Sequence, residues 1–322
     1  MSARHPLHIR WTIHIMRWIA PVVVPCFYFI VQLLPETLLL RLAPTVGKIL
    51  RIGMKERIIR NMQCTLGHAR WKREQWVRRW EDHAAHIGLT VIEPFQLRKM
   101  NNDQLRSLIS LEGEDYLRGA LACGRGVMVF VNHLGNLGCI AAGLGLRGYD
   151  VSIAGNALPV QYIERKAQSL IRSVGGNRLL IGEQLPFRAS EVFHRNGIFA
   201  TFIDFSILKK RNVWVPFGQG EMSVNLGPAL IALRHRVPVL CITSVRLNSN
   251  RHTLTIHPPL DYALTEDLMH EAVLLTKQAI ARFADDLCSY PEQWWQWYTN
   301  RIREKQESVV MRRVNLTEAM MS

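Results

Sequence analysis

Two short apolar runs, one ending at Asn132 and the other at Asp204, constrain the fold of this chain more than any other feature. The first, over residues 126–132, is continuous, rich in β-branched and aromatic side chains, and bounded by glycines. The second, over residues 197–204, has the same character. Such runs are typical of strands that are buried on both faces of a parallel sheet. Since parallel strands need long crossover connections, usually helical, the two runs predict an α/β fold.

From residue 111 onward, strand-like and helix-like segments alternate, which is the pattern of a mostly parallel sheet flanked by helices. The predicted strands cover residues 126–132, 150–155, 177–182, 197–204, 213–216, 238–247 and 252–257. The predicted helices cover residues 114–122, 136–147, 159–173, 185–195, 226–236 and 265–289.

Polar residues stand where the two apolar runs end. Asn132 and His133 follow the first run, and Asp204 closes the second. The carboxyl edge of an open α/β sheet is where ligands bind, so these side chains are candidates for a functional site. Each also has a structural interpretation: the histidine can be a hydrogen-bonded buried residue, and the aspartate can cap a helix or form a turn. A buried carboxylate needs a partner in either case.

The N-terminal part of the chain lacks this alternation. Residues 18–34 contain no charged side chain, and Arg17 and Arg41 flank them. A stretch of about 17 residues is at the short limit for spanning a bilayer, so we expect a membrane anchor, with a buried core helix as the alternative. The basic residues that follow place the body on the cytoplasmic side. The predicted organisation is an anchor with basic flanks (1–45), a helical layer (46–110), an α/β domain (111–305) and a loosely ordered tail (306–322).

The net charge of +14 over 322 residues indicates an anionic partner. The sequence contains neither zinc-finger spacing nor a ribonucleoprotein-type aromatic motif, so we expect an anionic membrane surface or a phosphorylated substrate and no nucleic acid. Six cysteines are scattered along the chain without a Cys-x-x-Cys pair, which argues against a zinc site and against a disulfide framework. No residue pattern requires a metal or a redox cofactor.

The segment His133-Leu134-Gly135-Asn136-Leu137-Gly138 resembles the catalytic motif of the lysophospholipid acyltransferase superfamily, a histidine followed five residues later by Asp or Glu. It is most similar to the branch of lipid A late (lauroyl/myristoyl) acyltransferases, whose motif is roughly His-x-Gly-Asn-Trp-Glu. His133, Gly135 and Asn136 match this motif. Leu137 replaces the aromatic residue, and Gly138 occupies the position of the acid.

Later segments extend the resemblance to roughly residues 50–302. Asp204 matches a strand-end aspartate of that branch, and residues 213–218 match a Val-Pro-Phe-Phe-Gly-like turn. Residues 227–234 resemble the branch's Thr-Gly-Pro helix. Residues 291–301 resemble its Pro-Glu-Gln-x-x-Trp-x-x-Arg ending, which we interpret as mainly structural.

The branch also carries an arginine between the histidine and the aspartate. Arg178 is the best match, and Arg165 and Arg172 are alternatives. A planar guanidinium near the site would bind phosphate or the phosphopantetheine arm of an acyl donor. The structural alternative is a surface salt bridge.

The resemblance implies a glycerolipid acyltransferase-like fold and a membrane enzyme that moves a fatty acyl group from an acyl thioester to a hydroxyl of a lipid or glycolipid. It implies His133 as general base and Asp204 as a second catalytic residue. It implies an acyl carrier protein or coenzyme A thioester as donor, a membrane lipid as acceptor, no cofactor, and a location on the cytoplasmic face of a bacterial inner membrane. Main-chain N–H groups near Gly135 and Asn136 are expected to hold the oxyanion. The residues that it assigns to substrate binding are Asn132, Gly135, Asn136, Arg178 and Arg165.

Gly138 has no side chain with which to orient the histidine. In the serine protease triad, neutralising the orienting aspartate costs about 10⁴-fold in rate, so three hypotheses follow. The enzyme uses a substitute orienter, for which Asp204 and Glu93 are the candidates; or it is slow or acts on a more acidic acceptor; or it is a non-catalytic relative that binds lipid or a partner. A hypothesis from another class is a basic membrane-peripheral scaffold in which His133 and Asp204 are purely structural.

Overall fold

An N-terminal group of helices precedes the α/β body in the computed structural model, which describes residues 33–97, 100–158, 161–204, 212–248 and 250–305, together with 22–23, 25–26 and 29–30. The helices of this group fill most of the predicted layer 46–110, and the first of them runs through the predicted boundary between residues 45 and 46. They are α1 (Glu36–Leu50), α2 (Lys55–Leu66), α3 (Arg73–Leu97) and α4 (Asn102–Leu108).

Glycines allow α1 and α3 to pack with their backbones in contact. A Cβ on Gly47 would overlap the carbonyl group of Ala84, and a Cβ on Gly88 would overlap that of Ala43. Any larger side chain at either glycine would push the two helices apart. This close contact fixes the position of α3, whose C-terminal part reaches the candidate site through Glu93.

The strands of the body follow one another along the chain from residue 109. The central one, over residues 127–131, is fully buried, which explains its unbroken apolar sequence. Burying one aliphatic or aromatic side chain contributes about 1.5–3 kcal/mol, so this strand is a main source of stability. The strands are β1 (Ile109–Glu112), β2 (Val127–Val131), β3 (Val151–Gly155), β4 (Gly176–Leu180), β5 (Ile198–Phe202), β6 (Asn212–Phe217), β7 (Gly220–Asn225), β8 (Val239–Arg246), β9 (His252–Ile256) and β10 (Ile302–Glu304).

Seven of these strands form one sheet in the order β1-β9-β8-β2-β5-β3-β4. Every neighbouring pair is parallel except β8 with β9. The predicted α/β fold with a mostly parallel sheet is therefore confirmed. Because β2 and β5 are direct neighbours at the centre, the residues that follow them meet at one edge.

Helices cover both faces of this sheet, and the side chains of β2 alternate between two apolar cores. Val127, Val129 and Val131 pack into the core that α5 and α6 cover, and Met128 and Phe130 pack into the core under α8, α9 and α10. The helices of the body are α5 (Glu114–Ala122), α6 (Gly138–Gly145), α7 (Gln161–Ser173), α8 (Leu185–His194), α9 (Gly227–His235) and α10 (Leu268–Ser289).

A second, antiparallel sheet has the order β10-β7-β6. The predicted strand 213–216 belongs to this small sheet and pairs with β7, not with the parallel sheet. The sequence patterns did not predict β1, β7 or β10. β1 and β10 are only four and three residues long, and β7 is half polar, so none of them produces a clear apolar run.

Among the described residues, no helix combines the length and the apolar character needed to cross a bilayer. The structure therefore gives the predicted anchor over residues 18–34 no support. Residues 18–21, 24, 27–28 and 31–32 of that stretch lie outside the described residues, as does the predicted tail 306–322.

Candidate active site

His133 and Asp204 meet at the carboxyl edge of the parallel sheet. Val131 of β2 and Phe202 of β5 are register partners. His133 lies two residues after Val131, and Asp204 lies two residues after Phe202. The His133 Nδ1 atom lies 2.7 Å from Asp204 Oδ1, and the backbone N–H of His133 donates to Asp204 Oδ2 over 2.7 Å. The parallel register of two neighbouring strands thus builds a histidine–aspartate dyad.

Burial and hydrogen bonds fix the carboxylate of this dyad. The side chain of Asp204 is 2% exposed and that of His133 is 13% exposed. The indole N–H of Trp294 donates to Asp204 Oδ2 over 2.7 Å, in addition to the two bonds from His133. The hydrogen bonds to these donors offset the cost of burying the carboxylate.

The contact with Asp204 selects the tautomer of His133. A carboxylate acceptor at Nδ1 places the ring proton on that nitrogen, so Nε2 carries the lone pair in the neutral ring. The ring of Phe202 lies against the imidazole with 4.2 Å between centroids and limits its rotation. The arrangement can therefore accept a proton at Nε2 and stabilise the resulting imidazolium through Asp204.

Trp294 is a site residue that sequence reasoning assigned to a structural segment. Its neighbours hold it in place through backbone pairing with the loop after β2: Leu134 and Trp294 form an antiparallel bridge. The N–H of Trp295 donates to the His133 carbonyl over 2.8 Å. The aromatic run 294–298 was the sequence signal, but only the fold shows that one indole reaches Asp204.

Three predicted substrate-binding residues use their polar groups to shape the loop that follows β2. The Asn132 side chain accepts from the N–H of Leu134 over 3.2 Å. The N–H of Gly135 donates to the Gln293 carbonyl over 3.1 Å, so it is not directed at an oxyanion, contrary to the expectation. Gly135 has φ of +67°, and a Cβ there would overlap the Ser244 carbonyl oxygen, so only glycine fits.

Asn136 joins the loop to α3. Its Nδ2 donates to Glu93 Oε2 over 2.5 Å, and its Oδ1 accepts from the N–H of Gly138 over 3.0 Å. The Asn136 carbonyl accepts from the Ser244 hydroxyl over 3.2 Å. These contacts fix both the end of the loop and the start of α6.

Glu93 is fully buried in a polar cluster beside this loop. It forms an ion pair with Arg246 Nη1, and its Oε1 lies 3.3 Å from His252 Nε2. Burial lowers the pKa of Arg246 to about 10, and burial together with the charge of Arg246 lowers the pKa of His252 to about 3. Of the two proposed substitute orienters, Asp204 therefore contacts His133, whereas Glu93 contacts Asn136 and Arg246.

The structure does not bring Arg178 or Arg165 to the dyad. Arg178 lies on β4, an edge strand of the parallel sheet. Its guanidinium donates to Glu164 Oε1 over 2.7 Å and to Oε2 over 3.1 Å. The hydrogen bond from Arg178 is the main cause that lowers the pKa of Glu164. Arg165 is exposed on α7, as is Arg172. The structural interpretation of Arg178, a salt bridge, thus describes its observed contacts.

Within the part of the chain that the structure describes, no three His, Cys, Asp or Glu side chains are grouped so that they could hold a metal ion. The absence of a cofactor stays a prediction.

The model of the bacterial lipid A biosynthesis acyltransferase family matches residues 8–304. The chain belongs to this family. The resemblance found in the sequence is thereby confirmed, and the family implies transfer of an acyl group to a lipid acceptor. A comparison with curated proteins returned no match. In this family member the position five residues after His133 is Gly138, and the carboxylate on His133 comes from Asp204.

Proposed function

We propose that this protein transfers a fatty acyl group from an acyl thioester to a hydroxyl of a lipid or glycolipid, with His133 as general base and Asp204 as the residue that orients it. The observation that carries the proposal is the His133–Asp204 hydrogen bond at the carboxyl edge of two adjacent central strands, in a chain of the acyltransferase family.

The geometry supports one sequence of proton transfers. Nε2 of His133 takes the proton of the acceptor hydroxyl while that oxygen attacks the thioester carbonyl carbon. Asp204 stabilises the imidazolium while the tetrahedral intermediate exists. The C–S bond then breaks, the thiolate leaves, and the proton on Nε2 passes to the sulfur, so the products are an ester and a thiol.

The orienting role needs one carboxylate and not two. The neutral imidazole has a single N–H at Nδ1, and Asp204 accepts it. An acid at position 138 is therefore not required for the tautomer or for the charge of the imidazolium. The competing hypothesis is a non-catalytic relative that binds lipid or a partner, and Gly138 is the residue that favours it.

Membrane association belongs to the same proposal. The outer side of α1 and the turn after it expose Leu38, Leu42, Ile49 and Ile52, which we call the docking face. Arg41, next to Leu42 on α1, is exposed and adds positive charge. An apolar strip with basic neighbours suits an anionic membrane surface. We place the protein on the cytoplasmic face of a bacterial inner membrane, with a thioester of acyl carrier protein or coenzyme A as donor.

The test is acyl transfer by the purified, detergent-solubilised protein from a labelled acyl thioester to a membrane lipid extract. We expect Asp204→Asn to lower the rate about 10³- to 10⁴-fold, by analogy with the triad aspartate, and His133→Ala to lower it at least as much. Asp286→Asn is the matched control, because Asp286 Oδ2 lies 3.0 Å from His257 Nε2 in a second histidine–aspartate pair. That variant should keep the rate within about twofold, as expected for a pair outside the site.

Two results would contradict the proposal. Absence of transfer by the folded wild-type protein, with every donor and acceptor fraction, would support the non-catalytic relative. Wild-type rates in Asp204→Asn would remove Asp204 from the mechanism. Thioester hydrolysis measured in the same samples separates a missing acceptor from an inactive site.

A further inference from the structure

An apolar cleft of about 250 Å³ begins at the loop that carries His133 and continues along α6. Asn136 and Gly138, the third and fifth residues after His133, line its start. Val174, in the turn between α7 and β4, lines its far end. Because α6 runs from the carboxyl edge of the sheet toward the opposite edge, the cleft leads away from the dyad between α4 and α7.

The shape of the cleft depends on small residues of α6. Gly138 and Ala142 stand one turn apart on the side that faces the cleft. Leu105 of α4 and Leu170 of α7 form parts of its walls. A Cβ at Gly138 would lie 3.3 Å from Asn136 Oδ1, so any side chain there would begin at the mouth of the cleft. A larger side chain at position 138 would therefore take up space beside the cleft.

The lining suits hydrocarbon and not a charged group. None of the described residues that line the cleft carries a charged side chain. The amide of Asn136 is already bonded to Glu93 and to the N–H of Gly138. A phosphate or a sugar would lose its hydration here without gaining an ionic partner, whereas an alkyl chain gains about 0.8 kcal/mol per buried methylene, which is about fourfold in affinity.

We propose that this cleft binds the hydrocarbon chain of the acyl donor and that Gly138 keeps its mouth open. The proposal rests on the proposed acyltransferase function. The chain of the donor is attached directly to the carbonyl carbon that the acceptor hydroxyl attacks, so its apolar site must begin next to the reaction centre. The chains of an acceptor lipid are separated from its reacting hydroxyl by a polar head group and need not begin there.

A second apolar cavity of about 160 Å³ is the competing location. Phe202 and Ile231 are among its lining residues, and Phe202 also contacts the ring of His133. This cavity is smaller, and none of its described lining residues comes from the loop after β2. Substitutions in the two places distinguish them.

The experiment measures transfer with a series of saturated donors from octanoyl to palmitoyl thioester. Ala142→Phe fills the cleft one turn beyond Gly138. It should lower the rate with the longest donor at least tenfold, because each methylene that no longer fits costs about fourfold. Transfer from the octanoyl donor should persist. Leu170→Arg places a charge in the wall and should also disfavour long donors. Leu274→Arg on α10 is the matched control, because Leu170 and Leu274 are 37% and 38% exposed.

A binding arm makes the inference testable apart from catalysis. Displacement of the fluorescent fatty acid cis-parinaric acid by palmitate should be observed in the wild type and in Leu274→Arg, and parinaric acid binding should weaken at least tenfold in Leu170→Arg and Ala142→Phe. Circular dichroism and thermal unfolding check that the variants are folded; Leu170→Arg changes an exposed side chain and keeps the test valid if Ala142→Phe does not fold.

Several outcomes overturn the inference. The inference is wrong if the transfer rate depends on donor chain length in both cleft variants as it does in the wild type. It is also wrong if Ile231→Phe changes this dependence and Ala142→Phe does not. A change in selectivity for the chains of the acceptor, and not of the donor, would assign the cleft to the acceptor. If the wild type binds parinaric acid at the cleft but transfers no acyl group, the proposed function is wrong and the inference about the cleft stands. If the wild type does not bind parinaric acid, the inference that the cleft holds an acyl chain is wrong.

Discussion

At the scale of single residues, the carboxylate that contacts His133 follows the neighbouring strand β5 and does not come from the helix after the histidine. Asp204 accepts from the ring and the backbone of His133 and from the indole of Trp294. Three donors on one buried carboxylate hold it within about 3 Å of each partner, which would preorganise His133 for the proposed role of general base. The hydrogen bond between His133 Nδ1 and Asp204 is therefore formed without a carboxylate at position 138.

This geometry predicts the effect of restoring the acid. Gly138→Glu should not raise the rate of acyl transfer, because the Nδ1 proton of His133 is already bonded to Asp204. The new side chain starts 3.3 Å from Asn136 Oδ1 at the mouth of the apolar cleft. We expect transfer from long donors to fall about tenfold or more, since several methylenes lose their site at about 0.8 kcal/mol each.

The measurement is the rate of transfer from a palmitoyl and an octanoyl donor by Gly138→Glu, with Gly138→Ala as the control that adds only a Cβ. Recovery of transfer when Gly138→Glu is combined with Asp204→Asn would show that residue 138 reaches His133. That recovery would contradict the arrangement described above.

Sequence reasoning identified the dyad because strand-end residues can be located from apolar runs. It left Asp204 and Glu93 as equal candidates for the orienter, since the choice depends on which helix or strand lies beside His133. It also interpreted the segment of Trp294 as structural, because the pairing of residues 291–298 with the loop after β2 joins segments about 160 positions apart. Such contacts follow from the assembled fold and leave no local pattern.

At the scale of elements, the sequence predicted the helices and central strands of the body to within a few residues. The helix predicted over 136–147 is Gly138–Gly145, which is shorter because Asn136 and the residue after it belong to the loop that Glu93 and Ser244 hold. The predicted strand 213–216 is real but belongs to the small antiparallel sheet. An apolar run shows where a strand lies in the sequence, but it does not show which other strand it pairs with.

Helix α3 makes the stability of the protein depend on pH. Burial lowers the pKa of His83 to about 3, and burial followed by the charge of Arg246 lowers that of His86 well below its usual value. His252, which faces Glu93 of α3, has a pKa of about 3. These histidines are neutral in the folded protein and take up protons near pH 6.5 when the chain unfolds.

The sign follows from linkage. Between about pH 6.5 and pH 3 the unfolded chain binds more protons than the folded one, so the free energy of unfolding falls as the pH falls, by up to about 1.4 kcal/mol per pH unit for each histidine. Above about pH 7 these groups contribute no pH dependence. Urea unfolding between pH 5 and pH 8 should show this slope, as an order-of-magnitude expectation.

The variant His83→Asn isolates one histidine, because the amide can still donate to the Glu292 carbonyl that lies 2.9 Å from His83 Nδ1. Below about pH 6, the slope of the free energy of unfolding against pH should decrease by the amount that corresponds to about one proton. The comparison is with the wild type and with the exposed control His68→Asn. An unchanged slope in His83→Asn would contradict the assignment of buried neutral histidines to α3.

At the scale of the whole molecule, a strongly basic chain exposes apolar side chains on its N-terminal helix α1 and in the turn after it. The net charge is +14, and the docking face exposes Ile49 and Ile52 by 64% and 80% of their surface. The other side of α1 packs on α3 through Gly47 and Ala43, so the docking face has the opposite orientation. A protein that acts on lipid acceptors needs such a surface to bring its site to the bilayer.

This surface predicts how the full-length protein binds vesicles. Replacing Leu42 and Ile49 together by glutamate should weaken binding to vesicles that contain phosphatidylglycerol about 100-fold or more, because each buried aliphatic side chain contributes about 1.5–3 kcal/mol. Binding of the wild type should be weaker to phosphatidylcholine alone and should fall with added salt, since each lysine or arginine near an anionic surface contributes about 1 kcal/mol. Co-sedimentation measures both effects.

The control is the pair Leu247→Glu and Leu264→Glu, which changes two leucines that are 57% and 50% exposed and lie outside the docking face. This pair should bind vesicles as the wild type does. If the docking-face variant stays folded and keeps full binding, the docking face is not the main attachment. The predicted anchor over residues 18–34 would then account for binding, because an inserted apolar segment is insensitive both to charges on α1 and to salt.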